Sequence, residues 1–302
     1  MKNIMNKIVV IGSANTDMTV KTSHLPLPGE TILGGDFFMN QGGKGANQAV
    51  AVKRLGGELL FVAKLGADVL GKQALDAYAT EGIDTRHIVV DVQVASGVAL
   101  ICVDNQAENS IVVASGANMQ LKEADVDAAL DEMQAGDILL MQLEIPLSTV
   151  LYAARKAYEK GARVILNPAP AVGLPRELFQ YLDMITPNRI EAAMLTGIPT
   201  DDAKGLQKAV QEMVSWGVKN VIVTLGAQGS FVHDGGENYY VEACKVVPVD
   251  TTAAGDTFNG AVCVGLAEGM PLKQAVQMAA KASALAVTKF GAQVSIPYRK
   301  EL

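Results

Sequence analysis

Short apolar runs alternate with helical segments along almost the whole 302-residue chain, and no other feature constrains its fold as tightly. Lys7–Ile11, Leu59–Lys64, Ile138–Leu143, Arg163–Leu166, Met184–Thr186 and Val221–Leu225 read as strands. Ala46–Leu55, Gly71–Glu81, Leu147–Lys160, Ile190–Leu195 and Asp202–Trp216 read as helices, and two more begin near Asp256 and Leu272. Strands that are apolar at consecutive positions need cover on both faces. A strand–helix–strand repeat supplies that cover and joins the strands in parallel through right-handed crossovers. The expected fold class is therefore α/β: a central, mostly parallel sheet with helices on both faces, in a single unit spanning 1–302.

Two segments break the alternation. Met18–Asn40 carries His24-Leu25-Pro26-Leu27-Pro28-Gly29 and β-like pieces at Thr31–Leu33 and Phe37–Met39. Ser96–Ala114 reads as a hairpin, Val98–Val103 with Ser110–Val113. Neither segment has a helix to cover a sheet. They are expected to form a small β-sheet off the main unit, a lid at about 18–40 and 96–114. Both strands of the hairpin are apolar at consecutive positions, so both faces want cover, which a substrate on one side and a second copy of the chain on the other would supply; a homodimer through the lid is expected.

Composition removes several function classes. There are 32 acidic against 25 basic side chains, net −7, with no basic stripe to meet a nucleic acid. No apolar stretch approaches the roughly 18 residues of a membrane span, and no secretory leader is visible, so no membrane partner is expected. Cys102, Cys244 and Cys263 are scattered and read as buried thiols in a reducing compartment, the cytoplasm. The three histidines, His24, His87 and His233, are equally scattered, which argues against a His-based metal site or a Ser-His triad.

In open α/β sheets ligands bind beyond the carboxyl ends of the strands, so polar residues there carry most weight. Asn15 and Asp17 follow the first strand, Glu144 follows Ile138–Leu143, Asn188 and Glu191 follow Met184–Thr186, and Gly226 and Gly229 follow Val221–Leu225. Gln41-Gly42-Gly43-Lys44-Gly45-Ala46-Asn47 is a glycine-rich turn into a helix. It is no phosphate-binding P-loop, because Phe38 and Gly45 stand where a glycine and a Ser or Thr are required. Lys44 and Asn47 share the first helical turn. With Asn15, Asp17 and Glu144 they supply the donors and bidentate acceptors that a polyhydroxylated sugar needs. Finally, Asp250-Thr251-Thr252-Ala253-Ala254-Gly255-Asp256 leads into a small-residue helix. Uncovered backbone N–H groups and the helix dipole make an anion site there. Asp256 is either a plain helix cap or a base that deprotonates a hydroxyl attacking a phosphoryl group.

Taken in order from about residue 7 to 297, Asn15-x-Asp17, Gly42-Gly43-Lys44-Gly45-Ala46-Asn47-Gln48-Ala49, Asn167-Pro168-Ala169-Pro170, Asn188-x-x-Glu191, Thr224-Leu225-Gly226-x-x-Gly229 and Asp250–Gly260 resemble the ribokinase/phosphofructokinase-B family of carbohydrate kinases. The Gly-Gly-Lys-Gly-Ala-Asn-Gln-Ala version is similar to that of the ribose-phosphorylating members. The resemblance implies ATP-dependent phosphorylation of ribose at its 5-hydroxyl, with Asp256 as the base and Ala253, Ala254 and Gly255 as the anion hole. It implies sugar contacts from Asn15, Thr16, Asp17, Gly43, Lys44, Gly45, Ala46, Asn47 and Glu144. It assigns Asn188 and the turn Thr224, Leu225, Gly226, Ala227, Gln228, Gly229 to ATP, and associates Glu191 with Mg2+. A K+ site is implied at Asp250, Thr252, Ala286, Lys289, Gly291 and Ser295, where Phe290 and Val294 stand at positions that vary in the family. Related kinases of deoxyribose, fructose or nucleosides are the alternative. A NAD-linked dehydrogenase lacks its glycine fingerprint here, and a non-catalytic sugar binder would not need Asp256.

Overall fold

The computed structural model describes residues 5–106 and 108–302. From the N-terminus the elements are β1 (Ile8–Ile11), β2 (Asn15–Lys21), β3 (Phe37–Gly42), α1 (Lys44–Arg54), β4 (Leu59–Gly66), α2 (Val69–Thr80) and β5 (Ile88–Asp91). Then come β6 (Gly97–Val103), β7 (Asn109–Ala114), α3 (Glu123–Asp131), β8 (Ile138–Met141), α4 (Leu147–Glu159), β9 (Arg163–Leu166) and α5 (Arg176–Phe179). The chain continues through β10 (Met184–Ile185), α6 (Arg189–Thr196), α7 (Ala203–Ser215), β11 (Asn220–Thr224), β12 (Ser230–Asp234) and β13 (Glu237–Val241). It closes with α8 (Ala254–Ala267) and α9 (Leu272–Ala286).

Nine strands form the large sheet in the order β13-β12-β11-β10-β9-β8-β1-β4-β5. From β5 to β11 every pairing is parallel, and at the far edge the β11–β12 and β12–β13 pairings are antiparallel. All four residues of β1 are buried because the strand lies between two layers. Ile8 and Val10 point into a core built with α1, α2, α8 and α9, while Val9 and Ile11 point into a second core with α3, α4 and α7. Alternation along a strand thus divides one apolar run between two cores. The α1–α8 contact needs a residue without a side chain: a Cβ on Gly260 would fall 2.6 Å from Cβ of Ala51.

The small sheet has the order β3-β2-β6-β7. It differs from the expectation in two ways. Its first strand starts at Asn15 and not near residue 18, so Asn15 and Asp17 are themselves strand residues, and Thr31–Leu33 is not a strand. Every residue of β7 is exposed, Ile111, Val112 and Val113 included. The thiols also depart from expectation: Cys263 is buried, but Cys102 is only half-buried and Cys244 is exposed. Among the described residues no helix is long and apolar enough to cross a membrane.

Candidate active site

The site lies where the carboxyl ends of the large sheet meet the base of the small one. β1 hands the chain to β2 through Gly12–Ala14, and α1 starts against that turn so closely that a Cβ on Gly45 would sit 2.4 Å from the Ser13 nitrogen. The amides of Gly45 and Ala46 are used here, donating to Ser13 Oγ (3.2 Å) and to the Ser13 carbonyl (2.8 Å). Both residues therefore build the turn, and neither has an amide left for a sugar. Thr16 alternates to the face of β2 opposite Asn15 and Asp17 and is buried. Gly43 takes φ 87°, a left-handed backbone suited to glycine, and ends the small sheet where α1 begins.

Glu144 is fixed by the same turn. Its Oε2 accepts from Ser13 Oγ at 2.5 Å and from the Lys44 amide at 3.0 Å. Asn15 is fixed by Asn118, whose Nδ2 donates to Asn15 Oδ1 (2.7 Å) and to the Ala14 carbonyl (3.2 Å) while its Oδ1 accepts from the Ala14 amide (2.8 Å). With its oxygen occupied, Asn15 presents its amide NH2 as a donor. Asp17 folds over Gly42, where a Cβ would lie 2.2 Å from its carboxylate. Burial, then Glu144 and Asp256, raise the Asp17 pKa to about 7, against the opposing pull of Lys44. On Lys44, burial alone would favour the neutral amine. Asp256, Glu144, Glu191 and Asp17 outweigh it and hold the ammonium charged.

Asp256 is the third residue of α8 and is not its cap. The cap position belongs to Ala253, which adopts φ 58° and is the one non-glycine residue with positive φ among the described residues. Strain of this kind gathers at functional sites. The Asp256 carboxylate is buried, and each oxygen takes one amide from α1: Asn47 Nδ2 to Oδ2 and Gln48 Nε2 to Oδ1, both at 2.9 Å. Burial raises its pKa, while Lys44 and these two donors resist the rise. The Asn47 Oδ1 is buried without a partner. In the turn expected to form the anion hole, the Ala254 amide donates back to the Thr251 carbonyl at 3.2 Å. Gly255 is exposed, and a Cβ there would meet nothing within 4 Å.

Two outlying groups adjoin this centre. Asn188 caps α6, accepting from the Glu191 amide (2.8 Å) while Glu191 Oε2 accepts from the Asn188 amide (2.7 Å). Asn188 also bridges to Thr224, and Arg189 donates to Gln228 at 2.7 Å, so the 224–229 turn and α6 form one edge. Burial raises the Glu191 pKa, which the Asn188 amide and Lys44 oppose. Asp250 Oδ1 accepts from the Thr252 amide and hydroxyl (2.9 and 2.6 Å), and Oδ2 accepts from the Gly291 amide at 2.9 Å. That bond joins the 250–252 turn to the loop after α9. Ala286 and Ser295 are buried, whereas Phe290 and Val294 are exposed. Lys289 pairs its ammonium with Glu301 at 2.8 Å, leaving only backbone oxygen for any ion.

Sequence inspection missed Ser13, Gln48 and Asn118 as site residues. Asn167 and Asn259 appeared within motifs without a role. Gln142, Asn167 and Thr186 each follow a strand directly, the same signal that identified Glu144. Asn118 follows a turn outside every motif and carries no such signal. A cavity of about 220 Å3 lined by Val172, Arg176, Phe179, Met194 and Trp216 shares no residue with this site and has no constellation of reactive groups.

Residues 5–299 match the model of the pfkB family carbohydrate kinases. Ribokinase of Haemophilus influenzae is 45% identical, covering 97% of this chain and 96% of the relative. Deoxyribokinase of Salmonella typhi is 35% identical, covering 96% and 95%. The structure is similar to that of Arabidopsis thaliana ribokinase complexed with ribose and ATP, with TM-score 0.90 and 33% identity over 98% of this chain and 96% of that one. A family-model match over nearly the whole chain, full-length relatives and the shared fold together establish that this chain belongs to the pfkB family of carbohydrate kinases.

Proposed function

We propose that the enzyme transfers the γ-phosphoryl group of ATP to the 5-hydroxyl of D-ribose, giving ribose 5-phosphate and ADP. The observation that carries this is the buried Asp256 carboxylate, held by two amides in the first turn of α8, beside the open backbone of Gly255. Asp256 takes the hydroxyl proton as the sugar oxygen bonds to phosphorus and the bond to the ADP oxygen breaks. Burial raises its pKa from the ordinary carboxylate value toward the working pH, which suits a general base. The exposed Gly255 amide and the N-terminus of α8 receive the phosphoryl charge in a preorganised field, with Ala253 and Ala254 shaping the turn.

Asp17 and Glu144 accept from sugar hydroxyls, Asn15 and Lys44 donate, and Asn47 offers its unpartnered oxygen. ATP lies along the edge made by Asn188 and Thr224–Gly229. Four carboxylates, Asp17, Glu144, Glu191 and Asp256, surround the single Lys44, so a triphosphate needs a cation to enter. Magnesium fits such a place, held by substrate phosphates and waters with Glu191 nearby. A monovalent cation fits the hard oxygen donors of Asp250, with the backbone carbonyls of Thr252, Ala286, Lys289, Gly291 and Ser295. Bound there, K+ would supply positive potential beneath the anion-hole turn.

The small sheet would act as a lid over the sugar, and its exposed apolar face, including Phe37, Leu100 and Val112, would pair with a second copy in a homodimer. ATP and sugar-phosphate chemistry with three free thiols suits the cytoplasm. A second sugar, deoxyribose, is favoured by the full-length similarity to a deoxyribokinase. ADP release measured with ribose, deoxyribose, fructose and nucleosides, in Mg2+ with and without K+, decides among them. Ribose should give the highest kcat/KM, and a higher value for any other acceptor overturns the assignment.

A further inference from the structure

Three neighbouring strands of the large sheet end in a polar residue that is buried. Gln142 follows β8, Asn167 follows β9 and Thr186 follows β10, with exposures of 0%, 7% and 1%. Gln48 of α1 and Asn259 of α8 join them in one hydrogen-bonded chain. Gln142 Nε2 donates to Gln48 Oε1 at 2.6 Å. Gln48 Nε2 donates to Asp256 Oδ1 at 2.9 Å and to Asn167 Oδ1 at 3.1 Å. Asn167 Nδ2 donates to the Thr186 carbonyl at 3.1 Å, and Thr186 Oγ1 donates to Asn259 Oδ1 at 2.6 Å. Asn259 Nδ2 ends the chain on the Gly255 carbonyl at 2.8 Å.

The chain therefore starts on the inner oxygen of Asp256 and returns to the residue beside it. Amides and hydroxyls buried in a sheet-to-helix layer cost stability unless each is partnered, and apolar side chains would fill the same space without that demand. Their gain must lie in orientation. Gln48 is fully buried, and its amide oxygen and nitrogen are both taken by protein partners. Its amide has one workable orientation, because its oxygen faces a donor and its nitrogen faces two acceptors.

We propose that Gln48 is a positioning residue for phosphoryl transfer: its amide aims the Asp256 carboxylate and favours its ionised form, while Asn167, Thr186 and Asn259 hold that amide and the Gly255 turn in one register. The proposal rests on Asp256 being the base. The charged groups facing Asp256 are Lys44 of α1, Asp17 of β2, Glu144 beyond β8 and Glu191 of α6. All remain in the variants below, so a difference from the parent enzyme reports the Gln48 bond itself.

The test is the pH profile of kcat for the full-length enzyme, with saturating ribose and ATP, in Gln48→Met and Asn167→Ala. Gln48→Met keeps the length and removes the donor. Its acid limb should move up by about one pH unit, the size of one hydrogen bond to a charged group. Its rate should recover toward the parent value at high pH, with ribose affinity by calorimetry little changed. Asn167→Ala frees the Gln48 amide and should move the limb the same way by less, which keeps the test intact if Gln48→Met does not fold. A packing role alone predicts equal loss at every pH with an unmoved limb, and that result overturns the proposal. Asp256→Asn run in parallel separates the two levels. If it is inactive and the limbs do not move, only the positioning role fails; if it keeps its rate, the base assignment fails.

Discussion

Asn47 Nδ2 and Asp256 Oδ2 lie 2.9 Å apart although 209 residues separate them in the chain. The bond joins the first turn of α1, which follows the glycine-rich turn, to the first turn of α8, which carries Asp256. In the proposed assignment, sugar recognition and proton removal would share this single side chain, its nitrogen donating to the carboxylate and its oxygen, which has no partner in the structure, left for a hydroxyl.

Asp17→Ala should raise the KM for ribose by about 10- to 100-fold, the equivalent of leaving one or two buried partners unpaired, with a smaller loss in kcat. Steady-state kinetics with varied ribose measures this. An unchanged KM would place the sugar elsewhere.

The pKa of Asp17, near 7 in the free enzyme, also predicts a pH dependence. A protonated Asp17 loses half its acceptor capacity, so ribose KM should fall as pH rises through about 7. For stability the sign is opposite. A carboxyl whose folded pKa is raised binds more protons folded than unfolded between about pH 4 and 7, so its contribution declines as pH rises through that window. The melting temperature of the ligand-free parent minus that of Asp17→Asn should therefore decrease from pH 5 to pH 8. A flat difference would contradict the shift.

Gly42→Ala tests the seat of Asp17 indirectly. The new Cβ would lie 2.2 Å from the carboxylate, so Asp17 must swing away while the rest of the site stays. Ribose KM should rise with kcat largely kept. Gly255→Ala has the complementary signature. Its Cβ meets no protein atom, and alanine is the better helix former by up to about 1 kcal/mol. Thermal stability should hold or improve while kcat falls, because in the proposed assignment the methyl group would intrude on the path of the phosphoryl group. Wild-type turnover in this variant would remove Gly255 from the anion hole.

Much of this was legible in the sequence, for a physical reason. Strands buried on both faces are written as apolar runs, as in Ile8–Ile11, so the parallel sheet and its helices were readable. Polar residues just beyond strand ends, such as Glu144 and Asn188, which lie in or beside the candidate site, were readable by position. The antiparallel edge β12–β13 was missed because Ser230–Asp234 and Glu237–Val241 carry polar residues and short turns with no continuous apolar run. Asn118 was missed because its role depends on the register that brings residue 118 against residue 14, a long-range pairing invisible to local pattern. Asp256 was readable as lying at a helix start, but its amide partners were not, since a capping carboxylate and a buried base look the same in one dimension.

Replacing K+ by Na+ should lower kcat several-fold, and Asp250→Ala should abolish that difference together with most activity. Asp250 now joins two segments through Thr252 and Gly291, so the variant's fold must be confirmed by its melting curve. Equal rates in both salts for the parent enzyme would leave the cation site unsupported.

The most direct measurement is turnover and ribose binding in Asp256→Asn. Asn keeps the shape and accepts from Gln48 or Asn47 through its oxygen, but it cannot take a proton. Loss of a general base should reduce kcat by about 10²- to 10⁴-fold, while calorimetry still shows ribose bound. A variant that keeps more than about a third of the parent kcat would contradict the assignment of Asp256 as the base on which this account of the site depends.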